Sequence, residues 1–283
     1  MTIEEFVLKY NLEPIAKVKR IMPAGIWGET KLDDVVSVSD KEWLVSNFCQ
    51  ISLASFENLL TLDLTNCESS KPCADFYESN SLEGLMKMGG KLKLNKSFGK
   101  LAQIKVVSLS AVHVTSLPKN LGDLTTLKSL LLSDTVIKKL PDSFSELHAL
   151  KEFRVWSKLQ ELPEELPKSL EVVDLRSNKL TEIPDALMNL PNLKWLDLSS
   201  NPFISMNLPD SPNEKLEELG LARSPFGLSQ ERIKEVQKAF PNAKISGGAN
   251  NGKFIEDGES LYLSCTKLYH SVAHPEGSSS WRD

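Results

Sequence analysis

The sequence predicts an α/β solenoid: short parallel strands stacked into a curved sheet, with a capping segment at each end. Three observations point there. An apolar pattern of unequal steps recurs, with copies starting at Ile104, Leu127, Leu150, Leu170, Leu193 and Leu216. The intervals between starts are 23, 23, 20, 23 and 23 residues, a register that chance does not give. Within a copy, alternating apolar positions are followed by a turn residue and, in four copies, by an apolar–proline step.

The clearest copy sets the ruler: Leu170, Val173, Leu175, Asn178, Leu180, Ile183 and Pro184. The next reads "LKWLDLSSNPF", with Leu193, Leu196, Leu198, Asn201 and Phe203. Earlier copies read "LKSLLLSDTVIKKLP" and "IKVVSLSAVHVTSLP", and "LEELGLARSPF" closes the run. An outlying copy, "LLTLDLTNC", places Leu59, Leu62, Leu64 and Cys67 on the same ruler. Between it and Ile104 the pattern decays to a half-unit, "LNKSFGKLAQI".

These residues resemble the leucine-rich repeat superfamily, whose units follow L-x-x-L-x-L-x-x-N-x-L. The 23-residue units resemble the intracellular, Ras-group type. The 20-residue unit resembles the short repeats of bacterial leucine-rich effectors. The resemblance covers residues 94–228, about half of the chain. It implies a solenoid with a curved, parallel concave sheet.

Elementary chemistry accounts for the spacing. In each L-x-L the strand points alternate residues inward. The turn residue that follows can satisfy backbone groups of the adjacent unit, and Asn does this best. That position holds Val112, Thr135, Lys158 or its neighbour, and Ser224 in other units, so the ladder should be weaker there. Return segments such as "LPDSFSELHAL" carry Phe144, Leu147 and Leu150 at helical or near-helical steps. One unit cannot bury its own leucines, but stacked neighbours can.

In chain order, residues 1–58 are expected to be an N-terminal cap or small α-rich region, because "IEEFVLKYNL" and "DKEWLVSNFCQISLASFENLL" have helical spacing. Residues 59–228 are the repeats, degenerate at 68–93. Residues 229–246 are a C-terminal cap: Ser229 N-caps a helix with Ile233, Val236 and Phe240 on one face, and "NAKIS" adds a last strand. Residues 247–283, punctuated by Gly, Asn and Ser, read as a partly mobile tail.

Composition bounds the function. The chain has 283 residues, 41% hydrophobic and 25% charged, enough for a sizeable core. A net charge of −5 lacks the basic footprint of a dedicated nucleic-acid binder. The four cysteines form no CxxC pair or dense framework, and are expected to be reduced thiols. The start "MTIEEFVLKYNL" carries glutamates where a signal peptide carries positive charge, and no apolar run approaches the ~18 residues of a membrane span. A cytoplasmic protein without membrane association is expected, with signal-independent secretion left open.

The ruler also places a binding face. Residues flanking the inward strand positions face the concave side in three columns. The first runs Thr61, Val106, Ser129, Glu152, Val172, Trp195, Glu218. The second runs Asp63, Ser108, Leu131, Arg154, Asp174, Asp197, Gly220, and the third Thr65, Ser110, Ser133, Trp156, Arg176, Ser199, Ala222. Tryptophan and arginine are enriched in binding hot spots, and a solvated strand face needs neither to fold. The expected partner-binding patch is therefore Arg154, Trp156, Asp174, Arg176, Trp195 and Asp197, with Leu131 beside it. The competing reading is an exposed Arg154–Asp174 cross-strand pair of little energetic weight.

Chemistry-bearing motifs are weak. Cys265, His270 and His274 supply three zinc-type ligands where a structural site needs four. His113 and His148 fall in a turn and a return segment without partners. Cys67 takes a repeat turn position, Cys49 reads as core, and Cys73 has no base beside it in sequence. The "GG" pairs at 89–90 and 247–248 lack a phosphate-loop context. No metal, no cofactor and no catalysis are expected. The sequence reads as an interaction module for a protein partner; the alternative is a bacterial-type effector or regulatory subunit that targets or inhibits an enzyme. An enzyme with its site in 1–90 or 247–283 is the third reading.

Overall fold

The computed structural model describes residues 94, 96–226 and 229–246, together with four strands nearer the N-terminus. The strands are β1 (Arg20–Pro23), β2 (Val35–Val38), β3 (Thr61–Asp63), β4 (Gly84–Met88), β5 (Val106–Ser110), β6 (Ser129–Ser133), β7 (Glu152–Trp156), β8 (Val172–Asp174), β9 (Trp195–Asp197), β10 (Glu218–Gly220) and β11 (Lys244–Ser246). They form one 11-stranded sheet in the order β11-β10-β9-β8-β7-β6-β5-β4-β3-β1-β2. All pairings among them are parallel, and from β3 to β11 neighbours in space are neighbours in the chain. This is a leucine-rich repeat solenoid.

Register between strands equals register between repeats. Val107, Leu130, Phe153, Val173, Leu196 and Leu219 pair across β5 to β10, and all are buried. They meet the return segments in one continuous core, where the Phe144 and Phe153 rings pack tilted, 4.6 Å between centroids. The return segments are tight: 3-10 turns at Lys96–Lys100, Leu121–Asp123 and Asp142–Glu146, and a single α-turn, α1, at Asp185–Met188. Proline before two of them sets an extended entry.

After β5, β6, β8, β9 and β10 the chain turns through a left-handed residue that is not glycine: Ala111, Asp134, Ser177, Ser200 and Arg223. The asparagines then tie units together. Asn178 Nδ2 donates to Val155 O at 2.6 Å and Leu175 O at 2.8 Å, and its Oδ1 accepts from Ser157 N and Leu159 N, both at 3.1 Å. Asn201 repeats the pattern toward Leu175 O and Leu198 O. In the unit from Leu150, Lys158 is exposed and its neighbour Ser157 takes the ladder position, bonded to Thr135 Oγ1 at 2.8 Å.

The decayed stretch before Ile104 contains β4, whose Leu85 is buried and pairs with Val107. Its next inward register position, opposite Leu109, is Lys87, which is why the leucine ruler loses it. β1 and β2 lie within residues 1–58; the two helices expected there fall outside the described residues, as does the tail 247–283. At the far end α2 (Gln230–Ala239) is N-capped by Ser229, whose Oγ accepts from Arg232 N at 3.2 Å. Val236 and Phe240 bury against the last repeat, Ile233 is half-buried, and β11 completes the sheet.

Candidate functional site

The strand register sets the expected columns side by side. Glu152, Val172, Trp195 and Glu218 face one another across β7 to β10, and Arg154, Asp174, Asp197 and Gly220 form the next row. Ser110, Ser133 and Trp156 begin the third. All six residues of the expected patch are brought together on this face, and Leu131 stands beside Arg154 on β6.

They are joined by a chain of polar contacts. Ser129 Oγ donates to Glu152 Oε2 at 3.2 Å. Arg154 Nε donates to Glu152 Oε1 at 2.7 Å, and Arg154 Nη1 stands 3.9 Å from Asp174 Oδ2. Arg176 then grips Asp174 with its Nε at 3.0 Å and Nη2 at 2.6 Å, and lies 4.0 Å from Asp197. Both tryptophans take part. The Arg176 guanidinium lies 5.0 Å from the Trp156 ring centre, and that of Arg154 lies 5.7 Å from the Trp195 ring. The Trp195 indole N–H donates to Glu218 Oε2 at 2.7 Å.

This burial corrects the reading of an exposed cross-strand pair. Arg154 is 2% exposed and Asp174 0%, and the nearest carboxylate to Arg154 is Glu152, not Asp174. A buried ion network is a different object from a surface pair: breaking one member leaves an uncompensated charge. Burial pushes the Asp174 carboxyl above the usual carboxylate range, aided by the neighbouring Asp197 charge and opposed by Arg176. The Trp156 indole N–H also favours the charged Asp174, yet the pair does not meet hydrogen-bond geometry, so Trp156 Nε1 is buried without an acceptor. Arg154 Nη2 is in the same position.

Two participants were in the columns but outside the expected patch: Glu152, which orients Arg154, and Glu218, which holds Trp195. A choice weighted toward Trp, Arg and Asp passes over them; pairing each cation or indole with acids of the same register would have found them.

The other chemistry-bearing candidates stand apart. His113 and His148 are exposed. Cys265, His270, His274 and the other cysteines lie outside the described residues, among which no group of three or more potential ligands could hold a metal. No helix among the described residues is long and apolar enough to cross a membrane. A shallow depression of about 440 Å³ lies between Met188–Pro191 and Pro209–Lys215, on the return segments and away from the network.

Comparison with known proteins agrees with this fold. Residues 157–203, which include Asp174, Arg176, Trp195 and Asp197, match the leucine rich repeat family model. A stretch of 78 residues is 38% identical to Chaoptin of Drosophila melanogaster, covering 25% of this chain and 6% of Chaoptin. The chain thus spans a small fraction of that relative's length. Among solved structures, an internalin from Listeria monocytogenes is similar with a TM-score of 0.52 at 16% identity, over 77% of this chain and 74% of the internalin. The Arabidopsis receptor kinase HAESA, solved with the peptide hormone IDA and the co-receptor SERK1, is similar with a TM-score of 0.50 at 24% identity, over 61% of this chain and 31% of that one. These likenesses concern the fold.

Proposed function

From the premise that this chain is a leucine-rich repeat protein, we propose that it is a non-enzymatic, cytoplasmic interaction module whose concave face docks a protein partner. One observation carries the reading: the strand face away from the leucine core holds a connected set of two arginines, two tryptophans and four acids, its Trp156 and Arg176 edge partly exposed. The set is pre-organised, because each side chain is held by another, and a rigid platform loses little entropy on binding. Trp156 and Arg176 offer partly exposed aromatic and guanidinium surface at its centre, the composition of a hot spot. HAESA shows that a fold of this kind can hold a peptide and a protein co-receptor.

Affinity capture from native lysate tests the reading. Wild type is compared with a Leu131→Glu, Trp156→Ala variant whose thermal melt by circular dichroism shows it folded. Loss of a prominent captured protein from the folded variant is the expected outcome. Identical capture by both forms would move the binding site off this face.

A further inference from the structure

We propose that the return side of the solenoid, away from the strand face, carries a self-complementary column of charge through which two copies of this chain pair end for end. The repeat sets the column. The residue after each apolar–proline step is Lys119, Asp142, Glu164 and Asp185, and Lys96 takes the same place one unit earlier. The intervals are 23, 23, 22 and 21 residues, so the five recur at one point of five successive return segments. All five are exposed. In chain order their signs are two positive, then three negative.

Local structure keeps them in line. The 3-10 turns at Lys96–Lys100, Leu121–Asp123 and Asp142–Glu146 pack side by side. Asn120 Nδ2 donates to Lys96 O at 3.0 Å and Gly122 N donates to Ser143 Oγ at 3.2 Å, which ties these three segments together. Pro141 and Pro184 hold extended backbone just before Asp142 and Asp185. Among the described residues no ion pair uses any of the five. Asp185 Oδ1 accepts from Asn207 Nδ2 at 2.8 Å and stands at the acidic end.

The order of signs names the occupant. A partner of one sign, such as a nucleic acid or a uniformly acidic peptide, is attracted by one end of the column and repelled by the other. A second copy turned end for end is attracted along its length. With the two-fold axis between Lys119 and Asp142, Lys119 of one copy faces Asp142 of the other and Lys96 faces Glu164, each contact occurring twice. The repeat supplies the register, because Lys96 to Lys119 and Asp142 to Glu164 are both one unit apart. Asp123 and Glu146 set the limit: both are exposed one turn further along their segments and would meet with like sign. The contact is thereby confined to the column, weak and sensitive to salt. It leaves both strand faces open, so a dimer would present two of them to a bivalent partner.

Sedimentation velocity of the full chain, over a concentration series reaching the millimolar range at low and at high salt, tests this. A monomer–dimer equilibrium at low salt, moved toward monomer by high salt, is expected. Lys119→Glu should weaken the dimer about tenfold, because two symmetry-related pairs become repulsive. Asp142→Lys should do the same, and the two substitutions in one chain should restore association. Lys128→Glu, exposed at the entry to β6, makes the same change in net charge and should leave the dimer unaltered. Thermal melts by circular dichroism show that the variants, all at exposed positions, are folded. A chain that stays monomeric throughout the low-salt series would overturn the proposal. So would a dimer indifferent to Lys119→Glu, or a double variant that associates no better than either single one.

Discussion

Arg154 and Glu152 sit two residues apart on β7, joined by a 2.7 Å hydrogen bond from Nε to Oε1, and both are buried on the face that a solenoid ordinarily leaves to solvent. Removing one partner strands the other. Glu152→Ala should destabilise the protein by about 3–5 kcal/mol, and the double variant Glu152→Leu, Arg154→Met by clearly less, because no lone charge is left behind. A double-mutant cycle by urea denaturation checks this; additive losses would show that the pair does not act as a unit.

The pH dependence of stability should carry two opposite signatures. Asp174 has its folded value raised by burial, so its contribution is complete below the unfolded value near pH 4 and is lost as pH rises through the raised folded value. Glu171 has its value lowered, first by hydrogen bonds from Lys151 and Lys194, so its contribution is present above about pH 4.5 and is lost as pH falls through the lowered folded value. Melts across this range should show the advantage of wild type over Asp174→Asn shrinking with rising pH, and that over Glu171→Gln growing.

The asparagine ladder should outweigh its substitutes. Asn178→Ala takes the side-chain donor from Val155 O and the shared acceptor from Ser157 N and Leu159 N in the preceding unit, and should cost about 3 kcal/mol. Thr135→Ala removes one hydroxyl contact to Ser157 and should cost about 1 kcal/mol. Chemical denaturation of the two variants ranks them; equal losses would contradict the ladder.

Ser177 holds φ at 58° with an exposed side chain. Ser177→Gly should stabilise by up to about 1 kcal/mol by relieving the left-handed strain, and Ser177→Val should destabilise by about 1–2 kcal/mol. Thermal melts decide the order.

Much of this was legible in the sequence for a physical reason: strand register in a solenoid is repeat register, so counting from Leu170 to Leu193 already sets Asp174 beside Asp197. Where a unit departs from the count, legibility fails. β4 was passed over because Lys87 takes a leucine position, and Ser157 rather than Lys158 fills the ladder because the turn after β7 is shortened. The burial of Arg154 was not legible either. It depends on Glu152 two residues back and on the Trp195 ring two strands away, a three-dimensional closure that no single column displays.

The central claim is that the partner sits on the strand face. Hydroxyl-radical footprinting of the chain, alone and in complex with the captured protein, tests it most directly. The account predicts protection of Leu131 and Trp156, with Ile204, 73% exposed and outside the strands, modified equally in both states. Protection confined to residues 1–58, to the tail 247–283 or to the depression at Met188–Lys215, with Trp156 unchanged, would contradict it.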